Sequence, residues 1–267
     1  ITTVSFLARR VAPGRWTLNE DRRLRRLMQY MHHHLDACLV HELHPRDSDE
    51  VRLVYSPDAE LGGDIYSTKA TGGFWLHLES KDGKRRWPIA WSCKRAGHTS
   101  GATADSEAWS LIGACEVGLK KEVIPLLHQL EVTLGRLVLL QCREDNTQVI
   151  AAVRRGYSPA LRHLKRHCNL GLGFASEVFY PDRSDPSAPQ YWASLVYCES
   201  AKQLGDWMTK EHNPKEFQRA FEMAGYSMGG CSGCPARALV GGMNFCAPYK
   251  PPQQPKGKKV GGAQGSR

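Results

Sequence analysis

The sequence predicts an α/β domain built on a mixed five-stranded sheet with helices on both faces, and three observations lead to this prediction. Three strand patterns follow one another between residues 51 and 91, with a turn at Gly62-Gly63-Asp64 and a hairpin turn between the second and third, which is typical of antiparallel neighbours. Residues 137–140 are a continuous apolar run, which is typical of a strand buried on both faces. Strand and helix patterns then alternate up to residue 225, which favours parallel strands added to the same sheet.

The first strand is predicted at 51–55 and is expected to stop at Ser56, because Pro57 cannot donate a ladder hydrogen bond. The residues Lys81-Asp82-Gly83-Lys84 predict a hairpin turn between the second and third strands. The other predicted elements, in order, are strands at 74–78 and 87–91, a helix at 104–129 with a break near Pro125 left open, a strand at 136–142, helices at 146–155 and 159–170, a strand at 191–197, a helix from about Ala201 that contains Asp206, and a helix at 214–225.

Composition changes divide the chain into three parts. Residues 1–45 contain a basic amphipathic helix whose apolar positions are Leu18, Leu24, Leu27, Met28 and Met31. Residues 46–226 hold the α/β pattern, and residues 227–267 are Gly-, Pro- and Lys-rich and expected to be disordered. Because Ile1 is not a natural start, we expect a fragment of a longer chain.

The charge and cysteine content indicate the partner and the compartment. The chain of 267 residues carries a net charge of +9, which suits a polyanion such as nucleic acid, although a merely basic protein is the alternative. Its nine cysteines are scattered, which favours free thiols in a reducing, intracellular compartment. No apolar stretch is long enough to cross a bilayer, so a membrane partner is not expected.

Four acidic residues occupy special positions: Asp58 near the end of the first strand, Glu107 in the first long helix, Asp145 after the fourth strand, and Asp206 in a late helix. If the first and fourth strands are neighbours, Asp58 and Asp145 come close enough to share a cation. Such a cluster is unfavourable without cations, and oxygen ligands favour Mg²⁺ or Mn²⁺. Two such ions can act on the attacking and leaving oxygens of a phosphodiester. The alternatives are ordinary roles: a turn residue at Asp58, a helix cap at Asp145, a first-turn dipole partner at Glu107 and a solvated Asp206.

Several blocks carry a family resemblance. Tyr55–Asp64 is similar to Y-S-D-A-D-W-A-G-D, Ile89–Ala96 to I-S-W-S-S-K-R-Q, and Ala104–Leu111 to T-E-A-E-Y-x-A-L. Glu144–Ile150 resembles C-D-N-Q-x-A-I, Ala160–Lys165 resembles R-T-K-H-I-D, and Gln203–Lys210 resembles Q-L-A-D-I-L-T-K. In this order the blocks resemble the ribonuclease H domain of copia-type LTR retrotransposon polyproteins. The sequence departs from the family pattern at Pro57, Leu61 and Lys165.

The resemblance implies a ribonuclease H-like fold that hydrolyses the RNA strand of RNA–DNA hybrids with two Mg²⁺ ions, Mn²⁺ being the alternative ion. It implies that Asp58, Glu107, Asp145 and Asp206 are the catalytic, metal-binding carboxylates, with Asp58 shared by both ions. It implies that residues 1–45 end a reverse transcriptase or connection segment, and that reverse transcriptase and integrase domains of one polyprotein are partners, in a cytoplasmic particle or the nucleus.

The candidates for contact with the hybrid are Lys94, Arg95, Asn146, Arg162 and His163, each with a solvated side chain as the alternative. Two other functions stay open. One is a decayed or domesticated module that binds nucleic acid without turnover, suggested by the changes around Asp58. The other is a different nuclease or an integrase of the same fold.

Overall fold

The computed structural model describes residues 16–35, 37–39, 50–61, 69–99, 103–112, 123–159, 166–181, 192–210 and 212–227, with isolated residues at 4, 7, 8, 10, 11, 41, 47 and 119. The chain divides into two compact units, Ile1–Cys231 and Ser232–Arg267, and every described residue belongs to the first. The tail predicted to be disordered therefore lies, apart from Ser227, outside the described residues.

A mixed five-stranded sheet forms the centre of the first unit. Its strands are β2 (Arg52–Glu60), β3 (Lys69–Glu79), β4 (Arg86–Thr99), β5 (Leu139–Glu144) and β6 (Ala193–Tyr197). Their spatial order is β4-β3-β2-β5-β6. β2, β3 and β4 pair antiparallel, whereas β5 pairs parallel with both β2 and β6. The predicted fold class and the adjacency of the first and fourth strands are thus confirmed.

One face of this sheet carries the main core. The alternation along β2 turns Leu53 and Tyr55 to this face, where they meet Leu76 of β3 and Leu140 of β5. Three helices cover it: α2 (Thr103–Ile112), α4 (Thr147–Arg155) and α5 (Arg166–Phe179). A further helix, α3 (Ile124–Leu134), adds Leu127 to the same core.

The opposite face is smaller and partly ionic. Trp75 packs there against Met208 from a one-turn helix, α6 (Asp206–Thr209), and α7 (Pro214–Met223) follows. Beside this apolar group the fully buried Glu79 accepts hydrogen bonds from three guanidinium groups, those of Arg52, Arg86 and Arg143. Since helices lie on both faces, the predicted layering is confirmed.

The expectation that β2 stops at Ser56 is wrong. Its ladder with β3 continues to Glu60, and Pro57 pairs with Phe74. The Pro57 carbonyl accepts a hydrogen bond from Gln203 Nε2 at 2.9 Å, on the side away from β3. Because the N and C=O of a strand residue point to the same side, the missing N–H of Pro57 removes no bond from this ladder. The parallel pairing with β5 has already ended at Tyr55.

Several predicted helix boundaries also need correction. The helix predicted at 159–170 is found at Arg166–Phe179, and the helix predicted from Ala201 is a 3₁₀ turn, Ser200–Lys202, followed by the separate α6. The helix predicted at 104–129 is described as α2 and α3, with Pro125 in the first turn of α3, where its missing N–H costs nothing. The fourth strand ends at Glu144 rather than Cys142.

A basic helix precedes the sheet, as predicted. It is α1 (Leu18–His33), and it starts with a capping box between Thr17 and Glu20. Its apolar side chains at Leu18, Met28 and Met31 are exposed rather than buried. A two-residue strand, β1 (Cys38–Leu39), pairs antiparallel with β7 (Tyr226–Ser227). Among the described residues, no helix combines the length and the apolar character needed to cross a membrane.

Candidate metal centre

Asp58 is buried where β2 runs past the end of β5. Its carbonyl accepts a hydrogen bond from the hydroxyl of Ser110 in α2 at 2.6 Å, which fixes the strand. Its carboxylate accepts hydrogen bonds from the hydroxyl of Thr209 and, at 3.2 Å, from the ammonium of Lys210. The side chain is therefore held by groups that come from a distant part of the chain.

Asp145 follows β5 directly and lies on the same face of the sheet as Asp58. Arg52 of β2 pairs with Leu139 of β5, and Asp58 and Asp145 follow these two residues by the same even number of positions. Because side chains alternate between the faces along each strand, both aspartates lie on the face of that pair. Its carboxylate accepts a hydrogen bond from the Ser200 hydroxyl at 2.6 Å. The cap of α4 is the next residue, Asn146, whose side-chain oxygen accepts from Gln148 N and Val149 N. The helix-cap alternative for Asp145 is therefore wrong.

Asp206 completes a group with these two residues. It begins α6, and one carboxylate oxygen from each of Asp58, Asp145 and Asp206 lies within 4.8 Å of the others. Oxygens at this separation can surround a single cation of the Mg²⁺ or Mn²⁺ type. Three of the four predicted acids therefore meet at one place on the sheet edge.

The fourth predicted acid, Glu107, belongs to a second group that shares Asp145. Oxygens of Glu107, Glu144 and Asp145 also lie within 4.8 Å of one another. Glu107 comes from α2, and its Oε2 accepts a hydrogen bond from Ala59 N at 2.8 Å. Glu144 is the last residue of β5, and its Oε1 accepts from Asn146 N at 3.1 Å. The two groups form one row of five carboxylates, with Asp145 common to both.

The electrostatics of this row are unfavourable for ionised carboxylates. Burial and the neighbouring Asp58 raise the pKa of Glu107 to about 10. Burial and Asp58 likewise raise the pKa of Asp206 to about 8. Burial raises the pKa of Glu144 well above its usual range, although the hydrogen bond from Asn146 N opposes the shift. Without added positive charge, the row therefore retains protons that free carboxylic acids would release.

One cation of the chain itself lies at this centre. The ammonium of Lys210 is 2.7 Å from an Asp206 oxygen and 3.2 Å from an Asp58 oxygen. Although burial lowers the pKa of Lys210, Asp58 and Asp206 raise it above its ordinary value. The lysine therefore stays charged and offsets part of the negative charge of the Asp58, Asp145 and Asp206 group.

The segment that carries Asp206 and Lys210 is fixed against the sheet by two contacts. Gln203 Nε2 donates to the carbonyls of Pro57 and Arg143, at 2.9 and 2.8 Å, and so joins the ends of β2 and β5 where their own pairing has stopped. Gly205 lies so close to β2 that a Cβ atom there would be 2.7 Å from Asp58 Cβ. A side chain at position 205 would push Asp206 away from Asp58.

The predicted nucleic-acid contacts are distributed unevenly. Lys94 and Arg95 are exposed on β4, an edge strand. Lys94 pairs with Gly72 of β3, and Gly72 pairs with Ala59 of β2, the residue after Asp58. The backbone of Lys94 is therefore two strand spacings, roughly 10 Å, from that of Ala59. Asn146 has its side-chain oxygen engaged as a helix cap. Arg162 and His163 lie outside the described residues.

Sequence reasoning missed two members of the centre. Glu144 had a signal, because the alternation of a strand places it on the same face as the apolar residues Leu140 and Cys142, where an acidic side chain is unexpected. Lys210 also had one, because it stands four residues after Asp206, where a helix brings two side chains together.

No protein-family model and no curated protein sequence matches the chain. Solved structures similar to it include the N-terminal ribonuclease H domain of Rv2228c from Mycobacterium tuberculosis, fused to maltose-binding protein (14% identity, TM-score 0.34, covering 66% of this chain and 99% of that one). Another is LC11-RNase H1 in complex with an RNA/DNA hybrid (14% identity, TM-score 0.35, 62% and 99%). A third is the foamy viral protease-reverse transcriptase dRH in complex with double-stranded DNA (15% identity, TM-score 0.39, 74% and 28%). All three TM-scores lie below 0.5, so these likenesses carry no conclusion about the chemistry of this chain.

Proposed function

We propose that the chain is a ribonuclease H-type hydrolase that cleaves the RNA strand of RNA–DNA hybrids with divalent metal ions. The observation that carries this proposal is the meeting of Asp58, Asp145 and Asp206, whose carboxylate oxygens lie within 4.8 Å of one another. These residues come from three separated parts of the chain. An acidic group of this kind at a strand edge is suited to bind cations and costs stability without them.

The donor set fits Mg²⁺ or Mn²⁺. All five side chains in the row offer carboxylate oxygens, and hard divalent ions prefer such ligands. Glu144 is fully buried, and its Oε2 has no hydrogen-bond partner within the described part of the chain. A buried oxygen of this kind costs free energy unless a proton or a cation satisfies it. The residues present therefore suit the ions that the family resemblance implies.

The carboxylates would bind the two ions as two groups, and other residues would position them or contact the substrate. Asp58, Asp145 and Asp206 would hold one ion, and Glu107 with Asp145 would contribute to the second. The resemblance implies that Asp58 is the shared ligand, whereas the carboxylate common to the two groups is that of Asp145. When bound, the two ions would activate the attacking water and stabilise charge on the leaving oxygen. Thr209 and Gln203 position Asp58 and the strand end that carries it. Lys94 and Arg95 would contact phosphates of the hybrid, because they are exposed on the edge strand β4, two strands away from Asp58.

A cleavage assay tests the proposal. A hybrid labelled on its RNA strand is incubated with the protein and Mg²⁺, and products are resolved on a denaturing gel. The Asp145→Asn substitution removes the charge of the carboxylate common to both groups and keeps its size, so we expect at least about a hundredfold loss of rate. Glu131→Gln is the matched control, because Glu131 accepts a hydrogen bond from Val138 N just before β5 but is not part of the row. Equal rates for wild type and Asp145→Asn would reject the site.

A module that binds nucleic acid without turnover is the second candidate, and Lys210 favours it. A lysine ammonium within 3.2 Å of both Asp58 and Asp206 supplies a positive charge where one ion would bind. Under this alternative, hybrid binding measured by fluorescence anisotropy weakens steeply with added salt, and no cleavage occurs at any metal concentration. Hydrolysis that disappears on chelation would reject the alternative.

The family resemblance also supplies a context for the activity. We propose that the chain belongs to a retrotransposon polyprotein, with reverse transcriptase and integrase domains as partners inside the cell. A different nuclease or an integrase of the same fold would prefer another substrate. Parallel assays on a hybrid, a DNA duplex and a four-way junction separate these classes, and preference for the junction or the duplex would overturn the ribonuclease H assignment.

A further inference from the structure

We infer that Glu144 is a metal ligand and that Glu107, Glu144 and Asp145 together form the second divalent-cation position of this protein. The inference rests on the proposed function for the identity of the ion, Mg²⁺ or Mn²⁺. It goes further in assigning a ligand that the family blocks do not contain. The C-D-N block that Glu144–Asn146 resembles has cysteine at the first position, where this chain has glutamate.

The geometry of Glu144 carries the inference. Its side chain is fully buried at the end of β5, and one oxygen from each of Glu107, Glu144 and Asp145 lies within 4.8 Å of the others. Its Oε1 accepts the hydrogen bond from Asn146 N, which orients the carboxylate. Its other oxygen, Oε2, has no partner in the described part of the chain. One oxygen is thus anchored to the backbone and the other is left for a ligand.

Glu107 is held in a comparable way. Its Oε2 accepts a hydrogen bond from Ala59 N at 2.8 Å, so a backbone amide next to Asp58 fixes the carboxylate. Hydrogen bonds from backbone amides reduce the conformational freedom of the two glutamates before any ion binds, so less entropy is lost on binding. Asp145 joins them from the next residue of the chain, so two adjacent residues, 144 and 145, would contribute to the same position.

A protonated Glu144 that binds no metal ion explains these contacts less well. A neutral carboxyl replacing a cysteine would need a hydrogen-bond acceptor for its proton, and its nearest carboxylates belong to the row itself. A cation can contact Glu107, Glu144 and Asp145 at once, whereas each proton that the row retains joins two carboxylates at most. The consequence is a centre in which a glutamate from β5 takes part in metal binding beside the aspartate that follows it.

Metal binding, rather than cleavage, tests the inference. The full chain is titrated with Mn²⁺ in an isothermal calorimeter, and bound Mn²⁺ is counted by electron paramagnetic resonance. We expect two ions in the wild type. In Glu144→Gln the second ion should bind at least about tenfold more weakly, because the amide keeps the Asn146 N–H bond but loses the charge. Glu131→Gln removes the same charge from α3, where Glu131 accepts a hydrogen bond from Val138 N outside the acidic row, and should bind both ions as the wild type does.

A second variant keeps the test decisive. Asp206→Asn should weaken the other ion and leave the Glu144 position intact, so the two variants should show complementary losses. Circular dichroism of each variant establishes that it is folded. Two ions bound to Glu144→Gln with unchanged affinities would overturn the inference, as would a wild type that binds a single ion lost only in Asp206→Asn. Two ions bound without hybrid cleavage would instead reject the proposed function and leave the Glu144 position standing.

Discussion

Replacing Gly205 by alanine tests whether the acidic row depends on the close approach of α6 to β2. An alanine Cβ would lie 2.7 Å from Asp58 Cβ and from the Ser56 carbonyl, and 2.9 Å from the Pro57 carbonyl carbon. Ordinary van der Waals contact begins at 3.4 Å, so the two segments must separate by about 0.7 Å. The neighbours are backbone atoms and a Cβ, which cannot rotate away.

The backbone of Gly205 does not itself require glycine. Its φ of −59° and ψ of −38° are accessible to any residue, so the effect of alanine is steric. Overpacking of this kind costs about 1–3 kcal/mol of unfolding free energy. The same separation would move Asp206 and Lys210 relative to Asp58. A misplacement on the order of 1 Å can lower a catalysed rate about a hundredfold.

Gly173→Ala is the matched control for this substitution. Gly173 lies inside α5, and a Cβ there would meet nothing within 4 Å. Alanine should therefore stabilise the protein by about 0.5–1 kcal/mol through helix propensity. Urea unfolding, Mn²⁺ titration and hybrid cleavage are measured for both variants. Wild-type stability and wild-type Mn²⁺ affinity in Gly205→Ala would refute the proposed dependence of the centre on this contact.

Three further predictions follow from the charged groups. Without metal, the folded protein keeps protons on Glu107 (pKa about 10) and Asp206 (pKa about 8) that the unfolded chain releases. Its unfolding free energy should therefore fall as the pH rises from 7 to 8, by about 1.4 kcal/mol per pH unit for each retained proton. Bound Mg²⁺ should reduce this dependence on pH. Burial lowers the pKa of His77 to about 4, so His77 makes the stability rise with pH, but only at pH values below this window. Urea unfolding at several pH values, with chelator and with Mg²⁺, measures the pH dependence of stability in each condition. A stability that does not change with pH in chelator would contradict the prediction. Lys210→Met should destabilise the protein in chelator by roughly 1–2 kcal/mol, a modest loss because the lysine is about one-third exposed and solvent screens its charge. It should also enlarge the rise in melting temperature that Mn²⁺ produces. An unchanged effect of Mn²⁺ would mean that the lysine and the ion do not compete. Glu79→Gln should cost about 3–5 kcal/mol because three guanidinium groups lose a buried charge, yet leave Mn²⁺ stoichiometry unchanged in a folded sample.

The sequence was informative about the sheet because short periodic patterns and apolar runs report directly on strands. The expected burial of the run 137–140 on both faces is wrong, since Leu137 and Leu139 are exposed. The strand patterns in β2, β3 and β4, the apolar residues before Gln141 and the pattern at 191–197 were enough to predict the five strands of the sheet. The placement of Asp58 beside Asp145 came from the expected adjacency of the first and fourth strands. That adjacency was expected from the order of the elements, three antiparallel strands followed by alternating helices and strands.

Helix boundaries were predicted less well, for reasons visible in α5. Gly171 and Gly173 lower the intrinsic helix propensity of that segment, so propensity alone favours a helix that ends before Gly171. In the structure, Leu172, Ala175 and Phe179 are buried at helical spacing against the main core. Burial of these side chains outweighs the propensity cost of two glycines, which is about 1 kcal/mol each. Local propensity could not reveal that packing.

Pro57 explains how carboxylates from both faces of a sheet reach one place. Asp58 and Asp145 belong to the face that packs against α6, whereas Glu144 belongs to the face that packs against α2. The faces can meet only where the ladder between β2 and β5 has ended, and it ends at Tyr55. A residue with a free N–H at position 57, pointing towards β5, would need a partner there. Proline needs none, and its carbonyl is satisfied by Gln203, so β2 can continue beside β3 while leaving β5. The proline expected to end the strand is therefore suited to the position that opens the gap between β2 and β5, and the acidic row lies at that gap.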